Sequence, residues 1–252
     1  MTRNNNLHGH ILPYVSSRLR IEGRWPAPVT LSRGWARASA RPWNDDTPDA
    51  FLRLDRGSAD FLTAASEDLV DLSQASVYSP ALYGSSTRIW LKCGYVEAFH
   101  LNVMERPVTS NRSAPTSLVV ESEKPDWDAL IEIDRHAFQG FWRMSVAGLT
   151  EAMSSTVRSV VLTVGDTKTA GYAIVGAQWN VSYLQRIAVH SDHRGKNIGS
   201  DLVRAALSWA RKKSAQTMVL NVREENVRAR RLYSKEGFTP TGTNLRILRY
   251  ET

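Results

Sequence analysis

Between Tyr183 and Phe238 the chain runs through strand, turn, helix, strand and helix without a break, and this run limits the fold more than any other feature. The strand-like segment Tyr183–Val189 (YLQRIAV) leads into His193-Arg194-Gly195-Lys196-Asn197-Ile198-Gly199, and an amphipathic helix opens directly afterwards. Its stripe consists of Ile198, Leu202, Ala205, Ala206 and Trp209, the three-to-four spacing of one helical face, and the helix should reach Lys213. Met218–Val222 (MVLNV) reads as the next strand, Asn226–Glu236 as a helix and Leu245–Tyr250 as a last strand.

The stretch upstream supplies the rest of a layered domain. Ser117–Glu121 (SLVVE) reads as a strand. Trp127, Leu130, Ile131, Asp134 and Phe138 mark a helix over Asp126–Phe138, and Ser145–Met153 a second one. Ser159–Val164 and Gly171–Val175 are β-branched runs, with Gly165-Asp166 as a hairpin signal. The order β-α-α-β-β-β-α-β-α-β implies an α/β fold: a mixed β-sheet flanked by helices on both faces.

The turn at 193–199 has a chemical reading. Small residues let backbone N–H groups converge, the first helical turn adds unpaired donors and partial positive charge, and Arg194 and Lys196 add full charges. That set suits a pyrophosphate. A tight turn whose glycines serve only packing has the same outline.

The next motif narrows the choice. Asn221-Val222-Arg223-Glu224-Glu225-Asn226 leads into Ala229-Arg230-Arg231-Leu232-Tyr233-Ser234-Lys235-Glu236-Gly237-Phe238. In sequence with L-x-R-I-A-V and R-G-x-N-I-G, the pattern N-x-x-A-x-x-L-Y-x-x-x-G-F resembles the GNAT superfamily of N-acetyltransferases over the last third of the chain. The resemblance implies acetyl-CoA as co-substrate, no metal, and an amine acceptor, either a small molecule or a peptide. It implies that Ile187, Ala188 and Val189 offer backbone groups to the pantetheine arm at a splay between two parallel strands. Arg194, Gly195, Lys196, Asn197, Ile198, Gly199 and Ser200 would hold the pyrophosphate, and Asn226 would bond the pantetheine or the phosphate end. Tyr233 would donate to the departing thiolate, since a phenol with a pKa of about 10 is protonated at neutral pH. The oxyanion would lean on a backbone N–H near Ile187 or Ala188.

Two positions depart from that pattern. Asn197 replaces the family's first loop glycine, and asparagine is among the few residues that tolerate positive φ. Asn221 stands where one branch acting on protein N-termini often has a glutamate base, and an amide cannot take a proton from an ammonium. Glu132, Asp134, His136, His190 and Glu224 are alternative bases, each equally readable as a solvated or packed residue. The segment Thr239–Asn244, read as a loop between the last strands, is too short for a long protein-gripping hairpin.

The first half carries an echo of the second. Arg88-Ile89-Trp90-Leu91-Lys92-Cys93-Gly94-Tyr95, then Leu101–Met104, parallels Arg231–Phe238, then Leu245–Leu248. Gly57-Ser58 before Phe61-Leu62 parallels Gly199-Ser200 before Leu202-Val203, with Leu69–Leu72 as the intervening strand. This implies a degenerate tandem copy, with Trp90 in place of the phenol and no basic phosphate loop. Its role would be to cover the second sheet and shape the acceptor cleft. Trp25, Trp35, Trp43 and Trp90 read as core fillers and Cys93 as a packed thiol. The polar, Pro- and Ser-rich segment 107–116 reads as a linker, giving an accessory unit 1–106 and an acetyltransferase unit 117–252.

Composition enters where classes are to be excluded. No apolar run approaches a membrane span, the polar Met1–His10 is unlike a secretory signal, and one cysteine allows neither an internal disulfide nor a multi-cysteine metal site. These features fit a cytoplasmic protein. A net charge of +7 suits a phosphorylated partner or simply a soluble surface. Nucleic acid is the weaker reading of Arg211-Lys212-Lys213 and Arg228-Arg230-Arg231, because no aromatic residues interleave them. A catalytically silent CoA-binding sensor or interaction module is the alternative function, motivated by Asn197 and Asn221.

Overall fold

The computed structural model describes residues 19–108, 114–116, 118–122, 124–165 and 169–251. The first half supplies β1 (Arg20–Glu22), β2 (Val29–Arg33), β3 (Ala36–Pro42), β4 (Ala50–Arg56), α1 (Ala59–Ser73), β5 (Val77–Tyr78), β6 (Leu82–Tyr83), α2 (Thr87–Lys92) and β7 (Val96–Pro107). The second half supplies β8 (Val119–Ser122), α3 (Trp127–Ala137), α4 (Val146–Ser154), β9 (Arg158–Val164), β10 (Gly171–Gln178), β11 (Val181–Val189), α5 (Ile198–Lys212), β12 (Thr217–Arg223), α6 (Val227–Lys235) and β13 (Thr239–Tyr250). The second-half order matches the sequence reading, with boundaries moved by a few residues.

Local chemistry explains where helices start. Ser58, Asp126, Ser145 and Asn226 each accept the backbone N–H three residues on, those of Phe61, Ala129, Gly148 and Ala229, which satisfies one orphan donor per helix. β10 is buried on both faces. Tyr172 and Ile174 pack with α3 and α4, while Ala173, Val175 and Ala177 pack with α5.

All strands join one mixed sheet, ordered β1-β2-β3-β4-β5-β13-β7-β12-β11-β10-β9-β8, with β6 paired to β13. The two halves exchange their last strands. β7 pairs antiparallel with β12 from Leu101↔Arg223 to Pro107↔Thr217. β13 pairs with β5 at Arg249↔Tyr78 and Tyr250↔Val77, and β7 and β13 pair with each other at the centre. On either side of that centre lies one parallel pair, β4 with β5 and β11 with β12.

Several sequence expectations need correction. Leu69–Leu72 is not a strand; it lies inside α1, where Phe61, Leu62, Ala65, Ser66 and Leu69 form the buried stripe, and β5 is the intervening strand. A four-residue apolar run fits either period, and here the upstream residues extend the helical one. Ser58 caps α1 from outside, whereas Gly199-Ser200 lies within the first turn of α5, so that part of the echo is out of register. Thr239–Asn244 is not a loop between strands. It starts β13, which bulges between Pro240 and Asn244 as Thr241 Oγ1 donates to the Val103 carbonyl. Trp35 is exposed rather than packed, while Trp90 and Cys93 are buried, the thiol donating to the Ala59 carbonyl at 3.3 Å. Residues 1–10, 109–113, Ser117 and Asp166 lie outside the described residues. No helix among the described residues is long and apolar enough to cross a membrane.

Candidate active site

The splay begins where the parallel pairing of β11 and β12 stops. These strands are in register only from Val181↔Thr217 to Tyr183↔Val219, so residues 184–189 keep β10 on one side and lose β12 on the other. A bulge opposite Ile174/Val175 inserts Gln185 as an extra residue. It changes the facing of everything beyond it: Leu184, Ile187 and Val189 pack with the α5 cluster, whereas Arg186 and Ala188 turn to the α3 face. A groove of about 1110 Å³ passes through this opening, with walls from α5 and α6 on one face and from residues 136–144 and the first half on the other.

The turn before α5 reaches the groove with its amides free. Gly195 has φ 81° and Asn197 φ 61°, so asparagine takes the left-handed conformation. The Asn197 side chain does not cap α5. Among the described residues, the first-turn amides of Ile198, Gly199 and Ser200 have no acceptor outside the helix, the condition that leaves a helix N-terminus open to an anion. Gly199 is close-packed as well: a Cβ there would lie 3.1 Å from Leu232 Cδ2 on α6.

Of the residues singled out in the sequence, Ile187, Ala188, Val189, Arg194, Gly195, Asn197, Ile198, Gly199, Ser200, Asn226 and Tyr233 all line this groove. Lys196 stands exposed on the turn, outside the wall. Arg194 donates to the carbonyls of His136 and Ala137, tying the turn to the end of α3. Asn226 uses its side-chain oxygen to cap α6 through the Ala229 N–H, and its amide nitrogen has no partner among the described residues.

Tyr233 is 5% exposed on α6, and no side chain among the described residues bonds its hydroxyl. Burial pushes the phenol up to about 12, with the Arg186 charge offsetting part of the rise. The group is therefore protonated across the physiological range. Two contacts hold it in place. Arg204 of α5 grips the buried Glu236 carboxylate through both oxygens at 3.1 Å, and the Phe238 amide donates to the Tyr233 carbonyl.

Two further fixtures escaped the sequence reading. Asp134, fully buried, receives Arg186 through two bonds of 2.8 Å, the Tyr172 hydroxyl at 2.7 Å and the Met144 amide at 2.9 Å. With both oxygens occupied it is a bracket for the α3–α4 connection, which corrects its candidacy as a base. The signal was a charged residue inside each of two apolar patterns. Asn44, from the first half, is the other fixture. Its amide donates to the carbonyls of Gly140, Phe141 and Arg143, while its oxygen accepts from the Asp46 and Thr47 amides and from the Thr47 hydroxyl. Trp43 stacks on Phe141 at 4.1 Å and bonds its carbonyl. The first half thereby clasps the loop that forms one wall of the groove.

Of the remaining base candidates, Glu132 is exposed and faces His136 at 3.8 Å. Glu224 is exposed and outside the wall, and His190 stacks on His136 at 4.1 Å. Among the described residues, no group of three or more His, Cys, Asp or Glu is arranged to hold a metal ion.

The model of the acetyltransferase (GNAT) family matches residues 127–238, the span containing the splay, the open helix end and Tyr233. Residues 127–238 are a GNAT acetyltransferase domain. The uncharacterized N-acetyltransferase YobR of Bacillus subtilis (strain 168) is 42% identical over 57 residues, 23% of this chain and 23% of that protein. Streptothricin acetyltransferase of Escherichia coli is 32% identical over 81 residues, 32% of this chain and 47% of that protein. The chain thus spans less than half the length of either relative. Among solved structures, a tandem GNAT protein from the clavulanic acid biosynthesis pathway superposes with a TM-score of 0.58 at 12% identity, covering 93% of this chain and 84% of that one. At that identity the likeness is one of fold: a GNAT mixed sheet flanked by helices, extended over both halves.

Proposed function

We propose that the chain is an N-acyltransferase that moves the acetyl group of acetyl-CoA to a primary amine of a small molecule or peptide. The observation that carries this reading is the alignment, along one groove, of an uncapped helix N-terminus, a strand edge without a partner and a buried protonated phenol. The amides of Ile198, Gly199 and Ser200 with Arg194 would take the pyrophosphate, and the open edge of Ile187–Val189 the pantetheine amides. An N–H near Ile187 or Ala188 would support the oxyanion, and the Tyr233 hydroxyl would donate to the departing sulfur. The proton shed by the attacking nitrogen balances the thiolate, so the sum is amide plus free thiol.

The same proposal divides the chain into an accessory unit (1–106), a connection (107–116) and the acetyltransferase unit (117–252), with the accessory unit forming part of the acceptor wall. A reducing, cytoplasmic setting agrees with the single buried thiol of Cys93.

Free-thiol release from acetyl-CoA across a panel of amines tests the activity. Tyr233→Phe should lose about 10²- to 10⁴-fold in kcat while CoA affinity changes little, and full turnover by that variant would remove the assigned role. The alternative, a silent CoA-binding module, draws on Asn221 and on the engagement of Asp134. Tight acetyl-CoA binding without turnover on any amine would favour it.

A further inference from the structure

The groove's far end, away from the turn before α5, has a chemical bias. Its wall there combines Arg41, Arg143, Arg186 and Arg223 with the rings of Phe141 and Trp142. Three of these arginines are neutralised from behind: Arg41 by Glu151 at 2.8 Å, Arg143 by Asp46 at 3.2 Å and Arg186 by Asp134 at 2.7 Å. None of those carboxylates is part of the wall, where Glu225 is the sole acidic residue among those described. Arg223 differs. It ends β12 with its guanidinium 4.4 Å from the centre of the Trp142 ring, and no carboxylate among the described residues lies within ion-pairing distance.

A guanidinium over a ring is held by the charge–quadrupole attraction and, without an ion-pair partner, still has N–H donors to offer. The support is itself fixed. The Trp142 carbonyl accepts from Arg186 at 2.8 Å, and the Trp142 ring meets Phe99 edge-on at 5.0 Å. A rigid aromatic plate therefore presents one unpaired guanidinium to the cavity, and its charge disfavours a second cation there.

Resting on the acyltransferase reading above, we propose that the acceptor is a small primary amine that also carries a carboxylate, and that Arg223 binds that carboxylate through its fork. Amines without an anion lose this anchor, and diamines meet repulsion from the Arg223 charge.

The test compares matched pairs differing only in the carboxylate, phenylalanine with phenethylamine and β-alanine with ethylamine, alongside 1,4-diaminobutane and 2-aminoethyl phosphate. The carboxylate members should exceed their partners by about 10- to 100-fold in kcat/KM, expressed mainly in KM. Arg223→Gln should bring that ratio close to one, and Arg223→Lys should leave an intermediate ratio. Calorimetric titration of the CoA-saturated protein with each pair reads the same preference as affinity, so a protein without turnover still answers. Equal use of both members, preference for the diamine, a ratio unchanged in Arg223→Gln or a tenfold preference for the phosphate would each overturn the assignment. Turnover without carboxylate preference removes this inference alone, whereas absence of turnover on every amine removes the acyltransferase reading.

Discussion

The two halves repeat one strand arrangement, although α3 and α4 have no counterpart in the first, and their differences separate scaffold from site. α1 and α5 are both 15 residues long, and each follows a strand whose first residues make a short parallel pairing that its later residues leave. After α2 and after α6 the chain turns at Gly94 and Gly237, each with φ 88°, where a side chain would be strained. The Tyr95 amide returns to the Trp90 carbonyl as the Phe238 amide returns to that of Tyr233. The chemistry diverges inside this common frame. Ser58 fills the end of α1 with its own hydroxyl, while α5 is left uncapped behind a longer turn. Trp90 fills its pocket with an indole that packs edge-on against Tyr95 at 4.8 Å, whereas Tyr233 carries a hydroxyl to the groove. A binding site in this fold consists of what is left unsatisfied, and the first half has satisfied its own.

Exchanges at equivalent positions can break that comparison. The largest contrast is expected between Tyr233→Phe and Trp90→Phe. The former should abolish most turnover with a small change in melting temperature. The latter should cost about 1–2 kcal/mol of stability and leave kcat intact; a kinetic defect in Trp90→Phe would mean that the first half takes part in chemistry. Next comes the clasp. Asn44→Ala removes the side-chain partner of the Arg143 carbonyl and of the Asp46 and Thr47 amides and should cost about 2–3 kcal/mol, with a rise in acceptor KM and little change in CoA affinity. An unchanged acceptor KM would show that the first half does not set that wall.

A smaller pair probes the helix ends. Asn197→Ala forces a residue with a Cβ and no local side-chain bond into positive φ, at about 1 kcal/mol, and should weaken CoA binding several-fold, whereas Asn197→Gly should not. Ser58→Ala should cost about 1 kcal/mol of stability with no kinetic effect. The least effect near neutrality is that of pH. Burial raises Tyr95, Tyr172 and Tyr233, so the folded chain favours their neutral forms. Their contribution is complete below about pH 10, the ordinary phenol value, and is lost as pH climbs from there towards the folded values. Melting temperatures should be level up to that point and fall above it, and an activity loss centred at pH 10 would mean that Tyr233 is not shielded.

The second half was legible because its signals are local: turn chemistry, a basic strand-to-helix junction and a tyrosine at fixed spacing. Even the tolerance of Asn197 for positive φ followed from residue type. Strand exchange was not legible. β7 and β13 alternate like any half-buried strand, and alternation carries no information about which sheet receives it. Asn44 escaped notice because a buried asparagine looks like any loop asparagine until its six partners from two segments are assembled. Arg186 and Asp134 were visible as charges inside apolar patterns, but only their meeting across the sheet identifies one bracket instead of two candidate bases.

The exchange of β7 and β13 also sets a timetable for biosynthesis. Before residues 239–250 have emerged, β5 and β7 both present raw edges, and the first half has no means of sealing its own sheet. Closure of the sheet waits on residues 239–250, and a nascent chain stalled before them exposes edges of the kind that recruit strands from other molecules. A stop codon just before residue 239 would therefore leave both halves open at once, although it removes none of the groups assigned to the groove's phosphate end.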